Sequence, residues 1–113
     1  MSAIDDVDAI NDKLREWIIT TSPPAGDSMA MAKMKQVVTL HNQLDQQLAK
    51  AQLIDLQQAN TALLSILKKQ GAQVAELKTQ IEKVTDGIES AETVISVAAQ
   101  AVAFLVQVIA LVP

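Results

Sequence analysis

The side chains that could carry out acid–base or metal chemistry are few and scattered. The 113-residue chain has no cysteine and a single histidine, His41, so it has no thiolate nucleophile and no His/Cys ligand cluster. Glu89 and Glu92 have helical spacing, but no base, nucleophile or glycine-rich phosphate loop accompanies them. We therefore expect no enzymatic activity, no catalytic residue, and no cofactor or metal site.

His41 itself allows two interpretations. An unperturbed imidazole titrates near neutral pH, so this residue could act as a pH-dependent switch. Alternatively, it is a polar side chain tolerated at a half-exposed position of an apolar stripe, and it cannot hold a metal without further ligands.

The composition favours an all-α protein. Hydrophobic residues make up 50% of the chain and aromatic residues only 2%, so burial must come from aliphatic side chains, as in long helices. Three glycines and three prolines are too few turn formers for an all-β chain. The net charge of −4 and the lack of a basic stripe argue against a nucleic-acid partner.

The first element is a short amphipathic helix over residues 3–20. Its apolar residues recur at steps of three and four, which places them on one helix face; they are Ile4, Val7, Ile10, Leu14, Trp17 and Ile18. Residues 21–27 then form a loop, because Pro23 and Pro24 remove backbone donors and push the preceding residue out of helical geometry. Asp27 or Ser28 can cap the helix that follows.

Residues 28–112 contain a long heptad pattern that predicts a coiled coil or a long packed helix. An upstream stripe, including Val37, Leu44 and Leu48, changes register near Ala51, as at a stutter. We call fourteen of the downstream a and d residues the assembly seam, and we expect its polar member, Asn60, to fix register. Its residues are Leu53, Leu56, Asn60, Leu63, Leu67, Val74, Leu77, Ile81, Val84, Ile88, Ile95, Val102, Leu105 and Ile109.

Two glycines leave the shape of this region open. Gly71 follows two lysines and resembles a helix C-terminus, which would allow a hairpin pairing residues 28–70 with 72–112. Asp86 and Glu89 have capping spacing around Gly87, which could restart a helix there. The heptad keeps its phase through both glycines, which favours a continuous helix, kinked or turned at Gly71 and Gly87.

The C-terminal segment, residues 94–112, is uncharged and apolar on nearly every side, and no charged residue follows Glu92. Its length approaches the thickness of a bilayer's hydrocarbon core, so it could enter a membrane. It could equally pack among several helices of an oligomer, a setting in which a helix is apolar all round. The candidate membrane or lattice residues are Val94, Val97, Val102, Phe104, Leu105, Val106, Ile109 and Leu111.

Residues 22–71 resemble the bacterial R-body proteins, the Reb or killing-trait family. The resemblance lies in the Ala/Pro break, the Ala-Met-Ala stretch and the following Ala/Gln-rich helix; the residues are Ser22-Pro23-Pro24-Ala25, Met29-Ala30-Met31-Ala32, Asn42, Gln46-Gln47 and Gly71. The resemblance implies a small bacterial, cytoplasmic structural subunit without catalytic residues. Such subunits polymerise into ribbons that are rolled inside the cell and unroll on a trigger such as acid.

The sequence thus predicts a self-assembling structural protein whose partners are its own copies or homologous subunits. A charge placed in the assembly seam, as in Leu77→Asp, should then disperse the assembly. Two alternatives remain: a membrane-active or tail-anchored helical protein such as a small pore-former, and a coiled-coil adaptor that forms a discrete complex with a partner.

Overall fold

The computed structural model describes residues 3–57 and 61–110, and it confirms an all-α fold. Four helices follow one another: α1 (Ala3–Thr20), α2 (Ser28–Gln57), α3 (Thr61–Glu82) and α4 (Ala91–Ile109). A single 3-10 turn, Ile88–Ser90, leads directly into α4. The side chains of residues 55–57 and 61–63 lie outside the described part of the chain.

The first helix and the loop after it are where the sequence predicts them. The six apolar residues of the α1 stripe face the core, with Trp17 1% exposed and only Ile18 half-buried. Asp27 caps α2: its Oδ1 accepts a hydrogen bond from the backbone N–H of Ala30 at 3.0 Å, three residues into the helix.

The continuous helix expected over residues 28–112 is instead three helices. Gly71 lies inside α3 and ends no helix, so a hairpin turn at this residue is not observed either. The physical reason is burial. Val74, Leu77 and Ile81, one to three helical turns after Gly71, are buried in the core, and the free energy gained by burying them outweighs the low helix propensity of glycine. The chain does turn at Gly87, between α3 and α4, and Gly87 was one of the two glycines at which a kink or turn was predicted.

The expected cap around Gly87 takes a different form. Gly87, not Asp86, is the N-cap of the 3-10 turn, and no side chain bonds the free N–H groups there. Gly87 has φ of 131°, a backbone region that side chains with a Cβ rarely adopt. A Cβ at this position would also lie 2.5 Å from Oε1 of Glu89, the end of a flexible side chain that can move aside. The backbone conformation is therefore what favours glycine at the turn.

The four helices form two antiparallel hairpins, α1–α2 and α3–α4. In the first hairpin Asn11 of α1 meets His41 and Asp45 of α2. The hairpins lie side by side so that α2 is adjacent to α4, and α3 to α1. Lys33 and Glu92, near the N-termini of α2 and α4, approach to 3.3 Å, so these two helices run parallel.

The core is aliphatic and runs along the axis of this 51 × 26 × 17 Å bundle. Each helix contributes a stripe, and α1 and α4 also touch across the middle. The largest fully buried side chains include Trp17, Leu44, Ile81 and Leu105. The connections at one end are joined by a hydrogen bond of 3.2 Å from the Gly87 N–H to Thr21 Oγ1.

Candidate functional site

The assembly seam is divided between the interior of one bundle and its surface. Val74, Leu77, Ile81 and Leu105 are buried within the chain, whereas Leu53 is 62% exposed. Six members are half-buried at the edge of the core: Leu67, Val84, Ile88, Ile95, Val102 and Ile109. Leu56, Asn60 and Leu63 lie outside the residues whose side chains are described. The predicted seam is therefore chiefly an intramolecular core.

The core-facing stripe of α4 is rotated relative to the predicted one. Eight residues of α4 are buried. Six of them recur at alternating steps of three and four, and Val97 and Phe104 widen this stripe; the six are Ala91, Val94, Ala98, Ala101, Leu105 and Val108. The predicted a positions Ile95, Val102 and Ile109 therefore lie at the border of the core. Because α4 is apolar in most directions, its sequence pattern cannot select which side turns inward.

The candidate membrane or lattice residues near the C-terminus are likewise divided between the core and the surface of the bundle. Val94, Val97, Phe104 and Leu105 are buried in the bundle, and Val102 and Ile109 are half-buried. Val106 is 49% exposed, and Leu111 lies outside the described residues. The four buried members are covered by the chain's own helices.

The outer side of α4 carries a line of exposed small and apolar residues, which we call the α4 ridge. It consists of Ala99, Ala103, Val106 and Ala110, all exposed and spaced by four, three and four residues. This spacing places them on one helix face. No charged residue occurs in the sequence beyond Glu92, so the ridge is uncharged along its length.

A groove of about 270 Å³ lies beside this ridge, between α3 and α4. Val74, Leu77 and Phe104 lie at its base and are only 2–3% exposed, and Ala103 belongs to both the ridge and the groove. The remaining lining residues are all glutamines: Gln70, Gln73, Gln100 and Gln107. The Gln70 amide donates to Oε1 of Gln107 across the groove, and the Gln100 amide donates to Ser96 O and Oγ on its own helix.

The α1–α2 hairpin has the opposite character, because a polar cluster crosses its interface. Asn11 is 2% exposed, and its Nδ2 donates to Asp45 Oδ1 at 2.6 Å. Asn11 Oδ1 lies 2.7 Å from His41 Nδ1, so the imidazole donates from this nitrogen. His41 Nε2 and Arg15 Nη2 lie 3.4 and 3.6 Å from the Asp45 carboxylate. A buried amide with these partners satisfies its hydrogen-bonding groups.

His41 stands out in the sequence as the single histidine, but the sequence did not reveal that Asn11, Asp45 and Arg15 lie around it. The signal was present in the two facing stripes: Asn11 interrupts the apolar face of α1, and His41 that of α2. Two polar residues at matching depth of a helical hairpin can pair, but their alignment depends on the length of the loop. The cluster makes His41 a structural contact residue of the hairpin, and its use as a switch stays a hypothesis.

A second electrostatic feature lies near this cluster, on the acidic side of α1. Partial burial is the largest cause that raises the pKa of Asp8 above its ordinary value, and the neighbouring carboxylates of Asp12 and Asp5 raise it further. The positive charge of Arg15 lowers the pKa of Asp8. This carboxylate therefore opposes folding slightly at neutral pH.

Within residues 3–57 and 61–110, no group of three or more His, Cys, Asp or Glu side chains could hold a metal ion. In the same part of the chain, Ile88–Ile109 is long and apolar enough to cross a membrane, with a mean hydropathy of 1.8. Of its most apolar stretch, 39% is buried inside the bundle, so less than half of it is covered by the other helices.

Comparisons with models of protein families, with curated proteins and with solved structures gave no significant match.

Proposed function

We propose that this protein is a structural subunit that assembles with copies of itself, or with homologous subunits, through the outer surface of its helical bundle. The observation that carries this proposal is the α4 ridge together with the half-buried Val102 and Ile109, which widen the apolar surface of α4. Exposed contiguous apolar surface is a feature of interaction sites, whereas single exposed apolar residues are ordinary.

The chemistry of the chain supports a structural role over catalysis. Its one histidine is held between Asn11 and Asp45 at a helix interface, and the groove offers amides without an acid, base or nucleophile. Amides bind and orient, but they do not supply general acid–base or nucleophilic chemistry at neutral pH.

The resemblance of residues 22–71 to R-body proteins gives this proposal a definite form. An R-body-like subunit would be cytoplasmic in a bacterium and would build ribbons from many copies. The Pro-Pro loop, the Ala-Met-Ala stretch and the long Gln-rich helix of the resemblance correspond to the α1–α2 loop and α2.

Negative-stain microscopy and sedimentation of detergent-free protein, at neutral and acidic pH, test the proposal. We expect ribbons, filaments or large particles that pellet, and a shape that changes with pH would support the R-body form. Protein that stays monomeric at every concentration and pH would contradict self-assembly. A small complex found only with another protein would favour a coiled-coil adaptor.

A membrane-active protein is the second candidate, because Ile88–Ile109 meets the length and hydropathy of a membrane span. Insertion would require α4 to leave the bundle and expose the apolar faces of the other three helices. A flotation experiment with vesicles separates the two candidates: a membrane protein floats with the lipid, and a self-assembling protein pellets without it.

A further inference from the structure

We propose that His41 makes the stability of the α1–α2 hairpin depend on pH, because only the protonated ring can bond to both of the groups that face it. Asn11 of α1 faces the ring nitrogen Nδ1, and Asp45 of α2 faces Nε2. The inference concerns a single copy of the chain and does not depend on the proposed self-assembly.

The first step identifies the ring nitrogen that carries the proton in the neutral imidazole. Asn11 Nδ2 donates to Asp45 Oδ1 at 2.6 Å, and a carboxylate only accepts, so this contact fixes the orientation of the amide. The amide oxygen is then directed to His41, and Nδ1 has to donate to it across 2.7 Å. Because a neutral imidazole carries one proton, Nε2 is left with a lone pair.

The second step concerns the group that this lone pair meets. Nε2 of His41 lies 3.4 Å from Asp45 Oδ2, and an ionised carboxylate cannot donate a hydrogen bond to it. Protonation converts Nε2 into a charged donor, and a small movement of either side chain reaches the length of about 2.8 Å that is usual for a charge-assisted bond. The His41 side chain is 12% exposed, so water can deliver the proton.

The charged groups at this interface also favour a cation on the ring. The charged residues on the side of α1 that carries Asn11 have helical spacing around it; they are Asp8, Asp12 and Arg15. With Asp45, three carboxylates meet one guanidinium. α4, the other helix packed against α2, has no charged residue after Glu92, and Glu92 pairs with Lys33.

The sign of the pH effect follows from the linkage between proton binding and folding. The folded hairpin holds a carboxylate partner for the protonated ring, and the unfolded chain does not, so proton binding and folding favour each other. This stabilisation is present at acidic pH while Asp45 is still ionised, and it is lost as the ring gives up its proton. Measurements at about pH 5.5 and about pH 8 lie on either side of the range in which imidazoles titrate.

Urea unfolding of four proteins tests this assignment: wild type, His41→Gln, Asp45→Asn and the double variant. His41→Gln is the reference that keeps every other titrating group. We expect the folding equilibrium constant of the wild type, divided by that of His41→Gln, to rise at least about threefold from pH 8 to pH 5.5.

Asp45→Asn should remove or reverse this rise. The new amide still offers an oxygen to Asn11, and its NH2 group can donate to the lone pair of the neutral ring, so the neutral form becomes the matched one. The same ratio, taken between Asp45→Asn and the double variant, should therefore stay constant or fall on acidification. Asp12→Asn is the matched control, because it removes a neighbouring carboxylate that makes no bond to His41 and should leave most of the rise in place.

Nuclear magnetic resonance of the imidazole nitrogens supplies a measurement that needs no variant, since the chain has one histidine. We expect the proton on Nδ1 at pH 8 and a proton on both nitrogens at pH 5.5.

Three results would overturn the inference. A proton on Nε2 at pH 8 would show that the ring and the amide are arranged differently. A ratio that does not rise in the wild type would show that protonation of His41 does not stabilise the hairpin. Equal rises with and without the Asp45 carboxylate, or equal losses in Asp12→Asn and Asp45→Asn, would show that no specific bond to Asp45 is involved.

Discussion

The two hairpins of this bundle use contrasting chemistry at their interfaces and surfaces. The α1–α2 hairpin is aligned by a polar cluster in which Asn11 bonds to Asp45 and His41. The α3–α4 hairpin has an uncharged groove lined largely by glutamines and an uncharged outer ridge. Asn11, the buried member of this cluster, fixes one alignment because a shift of the hairpin would leave its amide buried without partners. An uncharged surface instead tolerates contact with another molecule. The first hairpin is thus suited to holding the fold, and the second to association.

The largest expected effect is from a charge in the α3–α4 core. Leu77→Asp was expected from the sequence to disperse an assembly, but Leu77 is 3% exposed inside a single bundle. An unpaired carboxylate there should cost about 4 kcal/mol or more, a large share of a small domain's stability. We expect the helical circular dichroism signal to be largely lost.

Leu53→Asp is the matched control, because Leu53 belongs to the same predicted seam and is 62% exposed. This variant should unfold at nearly the wild-type denaturant concentration. Equal destabilisation by the two substitutions would show that the seam is not divided between core and surface.

The polar cluster should give the next largest effect. Asn11→Ala removes the amide between His41 and Asp45 and should lower the free energy of unfolding by about 2 kcal/mol. Urea unfolding followed by the fluorescence of the single tryptophan, Trp17, measures this change. Asn42→Ala, on the exposed side of α2, should stay within about 0.5 kcal/mol of wild type. Self-association should be unaffected by either change, and its loss in Asn11→Ala would remove the contrast between the hairpins.

Two glycine substitutions should have opposite signs. Gly87→Ala introduces a Cβ at φ of 131°, and we expect the free energy of unfolding to fall by about 1 kcal/mol or more. Gly71→Ala adds a Cβ in open space on the surface of α3, and we expect the free energy of unfolding to rise by up to about 1 kcal/mol. Thermal unfolding of the two variants checks the pair. A stabilising Gly87→Ala would contradict the turn geometry before α4.

The smallest expected effect concerns the acidic side of α1. Because the folded-state pKa of Asp8 is raised, the folded protein binds this proton more readily than the unfolded chain does. The resulting loss of stability is present above the raised pKa and is relieved as the pH falls through it. Asp8→Asn should therefore stabilise the protein by less than about 1 kcal/mol at neutral pH. The difference in the free energy of unfolding between variant and wild type should shrink on acidification, and unfolding curves at several pH values measure it. A difference that stays constant with pH would argue against a raised pKa of Asp8.

Local signals in the sequence predicted the first third of the fold closely. The bounds of α1 and the loop followed from a stripe with one clear period and from two consecutive prolines, and Asp27 caps α2 as its position indicated. The sequence did not locate the breaks between α2, α3 and α4. Apolar residues at a and d positions have the same spacing in a continuous coiled coil and in a bundle of shorter helices. The glutamines of the groove were visible in the sequence, but residues 70 and 107 come from helices whose pairing the sequence did not reveal.

The sequence by itself determined that this protein is helical, aliphatic in its core and free of charge beyond Glu92. These properties depend on composition and on spacing within one or two helical turns. Only the tertiary structure decided that Leu77 is buried while Leu53 is exposed, that Asn11 meets His41, and which side of α4 faces outward. The physical reason is that burial is shared among all four helices. A stripe that is apolar on several sides has no inward direction until its neighbours are in place.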